Sequence, residues 1–96
     1  MTKYDKKIQN IINATIIFKS DLKNDDCISS GVFDGSTKNK LITLCNDVLD
    51  NCINKSKTRG DIARAVNNLY RYKYLIKSNL KMQQLHDIYL LKDQIF

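Results

Sequence analysis

The apolar residues of this chain recur at helical rather than strand spacing. Ile8, Ile11, Ile12, Thr15 and Ile16 fall at i, i+3, i+4, i+7 and i+8, which predicts a first helix over 4–20. Isoleucine's branched Cβ lowers helix propensity only slightly, so it does not undo that period. Leu41, Leu44, Cys45, Val48, Leu49, Cys52 and Ile53 keep the same spacing and predict a second helix over 38–54, with Ser36 or Thr37 as its cap. A short polar connection follows at 54–57, so the third helix is expected to return antiparallel to the second.

The third helix is expected over 59–77. Thr58 followed three residues later by Asp61 is a shortened form of the capping box, and Ile62, Ala65, Val66, Leu69 and Ile76 line one face behind it. Asn79 can cap a fourth helix over 80–95, unless helices three and four run on as one with a kink at Ser78 and Asn79. Met82, Leu85, Tyr89 and Phe96 mark one apolar edge of this helix, and Leu85, Ile88, Leu91 and Ile95 mark another. A stripe that wide either sits deep between neighbours or keeps apolar surface for a partner.

Residues 21–37 hold two of the three glycines and four of the ten aspartates, and read as a loop folded over one end by Ile28, Val32 and Phe33. The pattern as a whole predicts an all-α, antiparallel four-helix bundle forming a single domain over 1–96.

Charge adds a direction to this picture. The formal balance is +6, and every acidic residue is Asp. Between Lys55 and Lys81 stand eight Lys or Arg residues against Asp61 alone, a balance of +7 that leaves the remainder near neutral. Tyr70, Tyr72 and Tyr74 interleave with Arg71 and Lys73 in that stretch, a composition suited to stacking or to an interfacial headgroup layer. The candidate partner-binding residues are Arg64, Tyr70, Arg71, Tyr72, Lys73, Tyr74, Lys77, Lys81, His86 and Tyr89. Such a basic face favours anionic partners, whether nucleic acid or a phospholipid surface.

Other chemistries find little support in the letters. Asp21, Asp25, Asp26 and Asp34 lack the alternating spacing and final Glu of a calcium loop, so no metal is expected. Cys27, Cys45 and Cys52 match neither a zinc site nor a disulfide framework, and the two on the second helix are too far apart along its axis to bridge. They read as small apolar fillers. His86 is the single histidine, with no prepared nucleophile beside it and no paired carboxylates elsewhere. No enzyme activity and no cofactor are expected. Gln9, Asn10 and Asn13 interrupt the N-terminal apolar stretch, which argues against a secretory signal, and no apolar run reaches the length of a membrane span. A cytoplasmic location is expected.

The helical layout, the basic chain and the passage DIARAVNNLYRYKYLIK leading into a last amphipathic helix resemble the immunity proteins of pediocin-like (class IIa) bacteriocins, in particular the enterocin A immunity type. The resemblance is strongest over 38–91, where Asn67, Asn68, Leu69 and Tyr70 match the Asn-x-Leu-Tyr run of the family's third helix. It implies a cytoplasmic four-helix bundle that acts at the inner membrane face. There the bacteriocin has engaged the membrane subunits of the mannose phosphotransferase permease, and the C-terminal half sets which toxin is countered. On this reading the protein is a monomer that binds the bacteriocin–permease complex through the Tyr70–Tyr74 surface and the fourth helix. Lys73, Lys77 and Lys81 would meet the anionic inner leaflet. The loop at 21–37 is longer than in the family's pattern. The alternative function is a small basic nucleic-acid-binding regulator whose third helix lies along a phosphate backbone.

Overall fold

The computed structural model describes residues 2–24, 35–76 and 79–96. Among these the chain forms α1 (Lys3–Asn24), α2 (Gly35–Ile53), α3 (Arg59–Tyr70) and α4 (Asn79–Asp93), with a 3₁₀ turn at Lys73–Leu75 and no strand. Two of the helices start the same way. The Thr58 hydroxyl accepts from the Asp61 N–H at 3.2 Å while the Thr58 N–H donates to Asp61 Oδ2 at 2.9 Å, closing the predicted capping box. Thr2 and Asp5 repeat that exchange at the start of α1, at 3.0 and 3.4 Å.

The Thr58 N–H donating to the Asp61 carboxylate, helped by the Thr58 hydroxyl, Lys57 and Arg64, holds its pKa below the ordinary 3.8. A carboxyl with a lowered pKa stabilises the fold above its unfolded value, and that contribution is lost as pH falls through the folded value. Thr58→Ala, which removes the hydroxyl that accepts from the Asp61 N–H, is expected to cost about 1 kcal/mol. Asp61→Asn, which keeps the Thr58 hydroxyl but not the carboxylate, should lose its urea-midpoint deficit against the wild type as Asp61 is protonated; a deficit independent of pH would remove the carboxylate from the cap.

Each helix contributes one line of side chains to a shared core. Ile11, Thr15, Phe18 and Leu22 come from α1, Leu41, Leu44, Cys45 and Val48 from α2, and Ile62, Ala65, Val66 and Leu69 from α3. Ile8, Ile11 and Thr15 of the expected stripe face the core, and the line continues through Phe18 and Leu22 rather than Ile16. Ile16 is half-exposed, whereas Phe18 and Leu22 are fully buried. α1 also runs past the expected end at Ser20 to Asn24, so Asp21 to Asn24 of the expected loop are helical and Leu22 adds another core position. At the far side α2 begins at Gly35, which places Ser36 and Thr37 inside the helix rather than before it. Ile28, Val32 and Phe33, and Cys27 with them, lie outside the described residues.

α1 lies beside α2 and α4, and α3 completes the ring by lying beside the same two. Contacts at the ends give the directions. Lys38 at the start of α2 donates to the Lys23 carbonyl at the end of α1, 3.4 Å away. Arg59 at the start of α3 donates to the Ile95 carbonyl just beyond α4, at 3.3 Å, and its guanidinium lies 5.5 Å from the Tyr4 ring at the start of α1. Neighbouring helices thus run antiparallel, as the short 54–58 connection requires. Among the described residues no helix is long and apolar enough to cross a membrane.

Candidate partner-binding surface

α3 stops at Tyr70, earlier than the 59–77 expected. The Arg71 N–H still reaches the Asn67 carbonyl at 3.1 Å, but Tyr72 bonds to Leu69 at 3.2 Å, and Leu75 to Tyr72 and Ile76 to Lys73 follow at 3.0 and 3.1 Å, all three residues apart. That tighter winding changes which way each side chain faces. Tyr72 and Leu75 pack against the core, and Ile76, extended at φ −95°, ψ 119°, is buried below them. Lys73 and Tyr74 are left outside. The basic, tyrosine-rich stretch is therefore a helix end followed by a turn.

Opposite this end stands α4, and here residues distant in sequence converge. The Tyr70 and Tyr89 rings stack with centroids 4.1 Å apart and planes 18° apart. Lys73 Nζ lies 4.4 Å from the Tyr70 centroid and Lys92 Nζ 4.0 Å from that of Tyr89. A ring face carries negative potential, so each ring of the pair is approached by an ammonium. Lys92, only 7% exposed, also donates to Asn67 Oδ1 at 3.2 Å and pairs with Asp93 Oδ1 at 3.2 Å. The Tyr70 hydroxyl is 3.0 Å from His86 Nδ1. When that hydroxyl donates, the imidazole carries its own proton on Nε2. Beside this cluster is a cavity of about 450 Å³ lined by Tyr70, Lys73, Met82, Gln83 and His86.

Of the residues predicted for a partner, Tyr70, Lys73, His86 and Tyr89 are thus gathered in one place. Arg71 is exposed, Tyr72 half-buried, and Tyr74 projects with 75% of its surface accessible. Arg64 lies elsewhere, in a cleft of about 230 Å³ between α2 and α3 with Asp47, Asn51, Lys57 and Asp61. Lys77 lies outside the described residues.

Lys81 requires a correction. It is 3% exposed, with Nζ 3.7 Å from Asp21 Oδ2, and Gln84 Nε2 donates to the same oxygen at 2.8 Å. Its ammonium ties the start of α4 to the end of α1 and is not on offer at the surface. The physical reason is position: 81, 85, 88 and 92 form one core-facing line on α4, which Ile95 continues just beyond it, and lysines hold two of its places.

The cysteines are set for packing. Burial pushes the Cys45 thiol up to about 12, with Lys19 opposing, and burial also pushes Cys52 up to about 11, so both stay protonated near neutral pH. Among the described residues no three of His, Cys, Asp or Glu are gathered to hold a metal ion. Sequence reasoning missed Met82 and Gln83 as cavity residues, although both lie one turn before His86 on its side of α4. No family model, curated protein or solved structure matches this chain. Its surface is read from its own chemistry.

Proposed function

We propose that this protein confers immunity to a pediocin-like bacteriocin by binding, at the inner membrane face, to the permease that the toxin has engaged. The observation that carries the reading is the convergence of Tyr70, Lys73, His86 and Tyr89 from two elements around one surface cavity. Aromatic rings with a cation and an adjacent hollow are the usual anchors of protein contacts. The antiparallel four-helix arrangement and the sequence resemblance over 38–91 support the same partner class.

The end of the bundle where α3 finishes and α4 begins supports an approach to lipid. Tyr74 and Leu80 are 75% and 62% exposed there, with Lys73, Lys23 and Lys40 at the same end. Near an anionic leaflet each such basic side chain contributes about 1 kcal/mol. Lys81 has no part in this contact.

The test is expression in a sensitive host. Protection against one or a few pediocin-like bacteriocins is expected, and exchanging the half after Asn54 with that of a class IIa immunity protein should carry the spectrum of resistance with it. Absence of protection against every bacteriocin tried, together with duplex DNA binding that weakens steeply with salt, would replace this reading with the nucleic-acid regulator.

A further inference from the structure

We infer that the cavity beside Tyr70 receives a short protein segment in which an acidic residue stands next to an aromatic or aliphatic one. The inference rests on the reading of this surface as a protein-binding site, and it adds the chemistry of the segment bound. The lining has two characters. Lys73 supplies an ammonium and His86 a ring nitrogen not engaged by the Tyr70 hydroxyl, both suited to a carboxylate. Met82 and the Tyr70 ring supply an apolar wall.

Among the described residues no carboxylate lines the cavity. The nearest on this part of α4, Asp87, accepts from Gln83 Nε2 at 2.9 Å. Among the described lining residues, an entering acid meets the Lys73 ammonium. Lys73 is also held over the Tyr70 ring at 4.4 Å, so less side-chain freedom is lost when a ligand arrives.

Size separates a peptide from simpler anions. About 450 Å³ is room for two side chains, and an inorganic anion would leave the Met82 wall unused. A lipid headgroup fits less well. A planar leaflet meets Tyr74 and Leu80 first, since these are 75% and 62% exposed at the tip of the bundle, whereas the cavity reaches along the flank of α4 as far as His86.

The probe is the capped dipeptide N-acetyl-phenylalanyl-aspartyl amide, titrated into the intact chain while the ring signals of His86 and the tyrosines are followed by NMR. Its asparaginyl twin and phosphatidylglycerol vesicles are titrated in parallel. Saturable shifts at His86 and Tyr70 are expected, with the neutral twin about tenfold weaker. Lys73→Gln should abolish that preference for the acid, while Arg64→Gln, in the separate cleft, should leave it unchanged. Both sites are exposed, and unaltered amide spectra establish that the variants are folded.

Equal binding of the acidic and neutral peptides, no saturable response, or shifts at His86 with vesicles alone would overturn the inference. Peptide binding without protection of a sensitive host removes the bacteriocin reading and leaves this inference standing. Protection without peptide binding removes the inference alone.

Discussion

Phe18→Ala is expected to cost about 3–5 kcal/mol, the largest loss of stability from any single truncation in this fold. Phe18 heads the fully buried side chains and is inaccessible to solvent. It sits on the core side of α1, which packs beside α2 and α4, and a close-packed core cannot fill the void it leaves without moving one of its helices. A domain of this size is held by roughly 5–15 kcal/mol in total, so the variant should unfold at far lower denaturant. Ile17→Ala, one residue away and 55% exposed, is expected to stay within about 0.5 kcal/mol of the wild type. Urea unfolding followed by circular dichroism decides the matter. Similar midpoints for the two variants would mean that α1 faces the core with another side.

On the proposed immunity function, Tyr70→Ala is expected to abolish protection while the protein remains folded. Three contacts meet on this residue: the stack on Tyr89, the Lys73 ammonium over its outer face, and the hydroxyl at His86. Its truncation releases Lys73 and His86 from their places at the cavity together, which is why a larger effect is expected here than at either one. The stability lost is about 2 kcal/mol, since the ring is half-buried and the stack adds about 0.5–1.5 kcal/mol to its burial. Tyr70→Phe separates the contributions. It keeps the stack and the cation and removes only the bond to His86, so it should retain partial protection at nearly full stability. A fully protective Tyr70→Ala would show that the partner contacts another face.

The helices were legible because burial follows period. Leu41, Leu44, Cys45 and Val48 in α2, and Ile62, Ala65, Val66 and Leu69 in α3, are buried as their spacing requires. What escaped the pattern was decided by packing. No Gly or Pro marks the end of α3, and Ile76 continues the apolar spacing beyond Tyr70, so the break at Arg71 is visible only once Tyr72 and Leu75 are seen against the core. In the last helix Leu85, Ile88 and Ile95, counted in one apparent apolar edge, belong to a buried line that Lys81 and Lys92 complete, and the lysines disguise it because a cation reads as surface. Lys92 is buried along its stem, with its ammonium met by the Tyr89 ring, Asn67 and Asp93. The candidate surface was legible in its residue types and not in its shape. Tyr70, Lys73, His86 and Tyr89 could be named from sequence, but their meeting depends on the antiparallel pairing of α3 with α4.

The 3₁₀ turn after α3 has a bearing on how such a protein would diversify. Residues 71–75 are wound by bonds three apart and lie outside the four long helices, anchored by Ile76 below. A residue gained or lost in this turn would move Lys73 and Tyr74 relative to His86 and leave the α1–α2 half untouched. A change of length here is thus separable from the scaffold: where Lys73 and Tyr74 stand against His86 is set by this turn and not by the long helices.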